Sequence, residues 1–264
     1  MLSVPKEIIR GSGSAKNKLK LLRTWIKVRF QLSLFGIAYV QYNQCKFKVY
    51  PQNYQILNYI FLGNSQVFEA VLRCITSDTL FIDIGANVGI FSLGSAAFEG
   101  CEVVAIEPVR STFTALSENI ELNPLLKITC LKLAVSNQKK TGRISSIKMS
   151  GINSLVNKSD DFRKDTEFVF SVTLDDVLSI FLDNERHKRL FLKIDVERHE
   201  FEVLRGGIKT LSMNIPIKIC FEYYSSDNKQ ELSTFLAKYG FVQIIYEDNS
   251  NLILANESNT YSFD

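Results

Sequence analysis

An α/β fold built on a doubly wound parallel sheet is predicted by three features of this 264-residue chain. Short, continuous apolar runs recur from residue 80 onward and alternate with amphipathic stretches, the pattern of a parallel sheet covered on both faces. The first run ends in a glycine-bearing turn, Asp83-Ile84-Gly85-Ala86-Asn87-Val88-Gly89. The last two runs are separated only by Asn249-Ser250. That linker is short enough for a hairpin, and a hairpin must be antiparallel.

LFIDI (80–84) is the first strand, and 88–98 is its helix. CEVVAIE (101–107) is the second strand, followed by a helix over 110–122 in which Phe113, Leu116, Ile120 and Leu122 recur at helical spacing. ITCLKLAV (128–135) is the third. The polar, Ser/Lys-rich stretch 136–166 after it suits a mobile lid. FVFSVT (168–173) is a further strand, and Thr173 caps LDDVLSIFL with Asp176 three residues on, a capping box. LFLKID (190–195) is the fourth core strand, followed by a helix over 199–206 that stops at Gly206-Gly207. IKICFEY (217–223) is the fifth, KQELSTFLAKYG (229–240) a helix, and FVQIIYED (241–248) with NLILANES (251–258) the closing hairpin. Residues 1–79 stand outside the alternation. They are expected to form a helical and short-strand extension, with CKFKVY (45–50) a strand, packed beside the 80–264 domain.

Composition narrows the class. Hydrophobic residues at 46% and charged residues at 22% fit a globular chain and exclude disorder or a fibrous repeat. Five cysteines with no CxxC pair argue against a disulfide framework or zinc knuckle, and two histidines exclude a His-rich metal site. Residues 1–68 carry ten Lys/Arg and one acid, a net +9, and the rest of the chain is net −6. A basic front end on an acidic body suits an anionic partner or a solvated helix face. Within 16–30, Leu19, Leu22, Trp25, Ile26 and Phe30 are interleaved with basic residues, so this stretch either packs on the parent domain or lies on an anionic bilayer. The start lacks the apolar core of a secretory signal, and the uncharged run 30–45 is too short and polar for a membrane span. A cytoplasmic protein, with peripheral membrane contact open, is the expectation.

The turn after the first strand stands where a doubly wound sheet binds its ligand. Gly85 permits a tight turn, Asn87 tolerates a left-handed conformation, and the helix after Gly89 offers unpaired N–H groups to an anion. A dinucleotide fingerprint is absent, because Asn87 and Ile90 fill its later glycine positions, and no P-loop Gly-Lys-Ser/Thr follows. An acid two residues before the first glycine, Asp83, suits S-adenosylmethionine. Glu107, at the end of the second strand, can accept both ribose hydroxyls. The expected cofactor contacts are Asp83, Gly85, Ala86, Asn87, Gly89, Glu107, Pro108 and Asp195, with Ala134 and Val135 as walls for the adenine.

FIDIGANVGIFSL (81–93), VVAIEPV (103–109), LFLKIDVERHEFEVLRG (190–206) and FEYY (221–224) together resemble the FkbM family of S-adenosylmethionine-dependent methyltransferases. TLDDVL (173–178) and SENIELN (117–123) fit the same pattern. The resemblance covers most of 79–245 and implies a Rossmann-like class I methyltransferase sheet and O-methylation of sugars, polyketides or related acceptors. Where the family usually has glycine after D-V-E, this chain has Arg198.

A hydroxyl acceptor must lose its proton as the new bond forms, which calls for a carboxylate or histidine at the strand tips. Asp195, His199 and Glu222 are the catalytic candidates, with Asp195 or His199 favoured as base and Glu197 nearby. Lys193, inside a parallel strand, needs a partner, and Asp195 or Glu222 could serve in that structural role instead. Asp195 and Glu222 could also share Mg2+, but no third carboxylate accompanies them, so no metal is assigned. A small-molecule or glycan acceptor leads. A nucleic-acid methyltransferase is disfavoured by Asp-Val-Glu-Arg where base N-methylation commonly places Asn/Asp-Pro-Pro-Tyr/Phe. A non-catalytic cofactor-binding module is disfavoured by the retention of Asp83 with Glu107.

Overall fold

The computed structural model describes residues 15–51, 57, 66–145 and 166–256. The described chain opens with helix α1 (Ala15–Phe35) and an antiparallel hairpin of β1 (Ala38–Tyr42) and β2 (Cys45–Val49). Helix α2 (Gln66–Leu72) leads into the alternating part. There β3 (Thr79–Ile84), α3 (Ile90–Glu99), β4 (Glu102–Ile106), α4 (Arg110–Glu121) and β5 (Ile128–Leu131) follow in turn. Short β6 (Ala134–Val135), β7 (Lys140–Ser145) and β8 (Thr166–Val172) form a separate three-stranded sheet in the order β6-β8-β7. Helix α5 (Leu174–Phe181), β9 (Arg189–Ile194), α6 (Glu200–Arg205), α7 (Ile208–Leu211) and β10 (Ile217–Glu222) come next. Helix α8 (Ser226–Ala237) and the hairpin β11 (Phe241–Glu247) and β12 (Asn251–Asn256) end the described chain.

The main sheet has the order β11-β12-β10-β9-β3-β4-β5. All neighbours from β10 to β5 are parallel, and β12 is antiparallel to both β10 and β11. The predicted doubly wound sheet with a terminal hairpin is therefore the fold. The chain reverses its direction of travel at β3, between β4 and β9, and the crevice beyond the carboxyl ends of β3 and β9 is where such sheets bind ligands.

Both faces of the central strands β3, β4, β9 and β10 are largely buried, which is why they read as unbroken apolar runs. One face carries Leu80, Ile82, Leu190, Leu192, Ile219 and Phe221 beneath α5, α6 and α8. The other carries Phe81 and Phe191, stacked at 5.1 Å, with Cys220 and Ile253. That second face packs on α2 and α3 and shares its apolar cluster with Val28, Phe47 and Val49 of the N-terminal elements. Asn119 of α4 and Asn123 just beyond its end bind the backbone of β2, accepting N–H bonds from Lys48 (2.8 Å) and Lys46 (2.9 Å) as a neighbouring strand would. This accounts for the SENIELN segment.

The Thr173–Asp176 capping box forms in both directions. The single strand expected over 128–135 does not: it breaks at Lys132-Leu133, leaving β5 in the main sheet and β6 paired with β8 in the small one. Both pieces are apolar, so periodicity alone joins them. The 136–166 stretch, expected as lid, contains β7, and its 146–165 portion lies outside the described residues, as do 257–258 of the last strand.

Candidate functional site

The turn between β3 and α3 has the geometry its residues require. Gly85 sits at φ 82° and Asn87 at φ 52°, both left-handed. The N–H groups of Gly85 and Ala86 both donate to the Ile106 carbonyl at 2.9 Å, which ties the turn to the end of β4. Gly89, also left-handed, is the N-cap of α3 and brings no side-chain cap to it. The first N–H groups of this ten-residue helix are thus left for a ligand, with the positive end of the helix dipole behind them.

Glu107 is almost fully buried at the same crevice. Its two oxygens accept N–H bonds from Asn87 (3.0 Å) and Val109 (2.9 Å), which fixes the carboxylate while leaving lone pairs for further donors. Burial raises its pKa to about 7 against the opposing pull of those two bonds. Pro108 follows, half-buried. Ala134 and Val135 are both buried, Ala134 in a small cluster with Val109 and Val135 in the larger core beneath the sheet.

Asp83 has no exposed surface. One oxygen accepts from Ser92 Oγ at 2.5 Å, and the other faces Lys193 Nζ at 3.6 Å. Asp83 and Lys193 are register partners on adjacent strands, so their side chains stand side by side. The same ammonium donates to Asp195 Oδ2 at 3.1 Å and lies 4.7 Å from the centre of the Phe91 ring. Lys193 therefore links the buried acid behind the turn to the acid at the strand tip. Of the two partners expected for it in sequence, Asp195 accepts a hydrogen bond from it. Burial raises the Asp83 pKa, with Lys193 and Ser92 opposing.

A cavity of about 540 Å³ opens at the carboxyl ends of β9 and β10, lined by Phe91, Lys193, Asp195, Cys220 and Glu222. Gln66 and Val67 of α2 close one side, and the β11–β12 turn, Asp248 to Asn251, closes another. Glu222 has its pKa raised to about 8, by burial first and then by the charge and shared hydrogen bond of Asp195. Glu197 is raised to about 7 by burial and by the charges of Asp195 and Glu200. His199 lies apart from the residues lining this cavity. Its Nε2 is 3.0 Å from Ser136 Oγ at the end of β6, and burial lowers its pKa.

The loop joining these groups is strained. Glu197 and Arg198 are consecutive left-handed residues, at φ 52° and 73°. The buried Glu200 carboxylate holds them there by accepting the N–H groups of Val196 and Arg198, both at 3.2 Å. The exposed Arg198 guanidinium lies over the Tyr224 ring at 4.9 Å. Among the described residues, no group of three or more His, Cys, Asp or Glu side chains is arranged to hold a metal ion.

Sequence reasoning misses Gln66, Val67, Ser92 and the Asp248–Asn251 turn. The last carried a usable signal: β11 runs parallel to β10, so its carboxyl end must lie on the same edge of the sheet as the crevice.

The site fits S-adenosylmethionine: a turn that excludes a side chain, an uncapped helix N-terminus for a carboxylate, and a fixed, buried acid for ribose hydroxyls. No curated protein matches the sequence. Among solved structures, similar chains include a precorrin-6y C5,15-methyltransferase from Geobacter metallireducens GS-15 (12% identity, 72% of this chain and 85% of that one, TM-score 0.43). The Trm5b protein of Pyrococcus abyssi (14%, 84% and 56%, 0.47) and the METTL16 methyltransferase domain (14%, 94% and 83%, 0.47) are similar to the same degree. The profile of the methyltransferase FkbM domain matches residues 83–243. The chain belongs to the FkbM family of S-adenosylmethionine-dependent methyltransferases.

Proposed function

We propose that this methyltransferase modifies a hydroxyl oxygen on a neutral, polyhydroxylated acceptor, a glycosyl unit being the best fit. The observation that carries this reading is the cavity beside the cofactor turn, where, among the described residues, Asp195, Glu222 and Asp248 face a single cation, Lys193. Carboxylates and the Asn249 and Asn251 side chains accept hydrogen bonds from hydroxyls, whereas an anionic acceptor meets net repulsion there. When bound, S-adenosylmethionine supplies an electrophilic methyl group on a sulfonium centre.

The chain's own residues do the rest. Gly85, Asn87 and Glu107 hold the cofactor side, and the strand tips orient the acceptor hydroxyl against it. Lys193 holds Asp195 in place. Glu222, with a pKa near the working range, takes the acceptor proton, which makes it the better matched base. His199, bonded to Ser136 and apart from the residues lining the cavity, takes no part in this proton transfer.

The test is transfer of an isotopically labelled methyl group from S-adenosylmethionine to a panel of neutral glycosides, uronates and RNA oligonucleotides, read by mass spectrometry. Methylated neutral glycosides with untouched uronates support the reading. Methyl uptake by RNA alone would replace it with nucleic-acid methylation. With an accepted glycoside, Glu222→Gln should lower kcat by about 10²-fold or more and remove the rise of rate with pH toward about 8.

A further inference from the structure

Helix α1 carries six Lys/Arg and no Asp or Glu over its 21 residues. Its inward side is accounted for, because Leu21, Leu22, Trp25, Val28 and Leu32 pack on the core. Its outward side is not. Leu19, Ile26, Phe30 and Leu34 follow one another at helical spacing and are 48%, 53%, 62% and 59% exposed. Phe35 at the helix end is 69% exposed. Tyr39 on β1, whose N–H bonds the Gln31 side chain, extends the apolar stripe past the turn. Lys20, Arg23 and Lys27, all exposed, run alongside. An amphipathic helix whose core-facing side is satisfied has no folding reason for a second apolar stripe, and contiguous exposed apolar surface marks an interaction site.

We propose that this outward face of α1 docks the protein on the surface of an anionic lipid bilayer. The large side chains enter the boundary between headgroups and acyl chains, and Lys20, Arg23 and Lys27 meet the lipid phosphates. Among the described residues no helix is long and apolar enough to cross a membrane, so the contact is peripheral. Charge complementarity selects this occupant. A second copy would bring an identical cationic stripe against the first. Nucleic acid would satisfy the cations and leave the aliphatic side chains of Ile26 and Leu34 in water. A bilayer satisfies both. The inference does not depend on the identity of the methyl acceptor.

The test uses the full chain in co-sedimentation with phosphatidylcholine vesicles, with and without phosphatidylglycerol. The expected result is binding to the anionic vesicles only, weakened by added salt. Lys20→Glu/Arg23→Glu/Lys27→Glu and Ile26→Ser/Phe30→Ser should each weaken partitioning at least about tenfold. Both variants should keep the thermal shift produced by S-adenosylmethionine, which shows that they are folded. Should either variant fail to fold, the wild-type comparison between vesicle compositions and its salt dependence decide the matter. Equal binding to neutral and anionic vesicles, or binding to neither, overturns the proposal. So does a dimer in light scattering that Ile26→Ser/Phe30→Ser disperses, or RNA binding in the absence of vesicle binding.

Discussion

The carbonyl oxygen of Asp195 occupies the space that a side chain on Gly85 would need: a Cβ there would lie 1.9 Å away. The Asp195 N–H also donates to the Ile84 carbonyl at 3.0 Å, so the β3–α3 turn and the loop after β9 are in backbone contact on both sides. Any change that separates them separates the two halves of the site.

Gly85→Ala should therefore damage both stability and cofactor binding. The left-handed φ of 82° and the backbone contact each oppose a Cβ. The expected cost is more than about 1 kcal/mol of folding stability. Affinity for S-adenosylmethionine should fall at least about tenfold, a loss of about 1.4 kcal/mol. Urea denaturation and calorimetric titration measure the two effects.

Lys193→Met should be among the most destabilising single changes in the sheet, because it leaves Asp83 buried with only Ser92 beside it. Removing one partner of a buried ion pair costs about 3–5 kcal/mol. The double variant Lys193→Met/Asp83→Asn should recover at least about half of that loss, since no buried charge remains. Additive losses in denaturant titrations would show that Asp83 and Lys193 are not energetically coupled.

Stability without cofactor should fall as pH rises from about 6.5 to about 8.5. Glu107 and Glu197, at about 7, and Glu222, at about 8, hold protons in the folded chain that the unfolded chain has already released. The unfolded state then binds fewer protons, and the slope of stability with pH is negative. His199, with its pKa lowered, adds little in this window because it is neutral in both states over most of it. Melting temperatures across the range check the sign, and Glu222→Gln should flatten the upper part of the curve.

Arg198 occupies a left-handed position, at φ 73°, that glycine adopts without strain, so Arg198→Gly and Arg198→Ala should diverge. Both variants lose the contact with Tyr224, but only glycine relieves the backbone. The glycine variant should be more stable than the alanine variant by about 1 kcal/mol, seen as a melting difference of roughly 2–4 °C. Equal stability would mean that φ 73° carries no strain here.

Much of the fold was legible in local pattern. The alternation of strand and helix, the capping box at Thr173 and the left-handed Asn87 are each decided within a few residues, by side-chain period, a cap or a turn. The break within 128–135 was not legible, because β5 and β6 are equally apolar and differ only in which strands they pair with. Glu107 was visible because strand ends in a doubly wound sheet fall on one edge, whatever the intervening loops.

What the sequence by itself determined is the placement of the candidate cofactor residues, since Asp83, Gly85, Asn87 and Glu107 lie on two consecutive strand–turn units whose geometry is local. Tertiary structure decided the lining of the cavity beside them. Gln66 and Val67 come from α2, Asp195 and Glu222 from neighbouring strand tips, and Asp248 to Asn251 from a turn brought alongside by insertion of β12 between β10 and β11. It also decided that Lys193 joins Asp83 to Asp195. The pairing of a buried charge is set by which strands are adjacent and in what register, and those are properties of the assembled sheet.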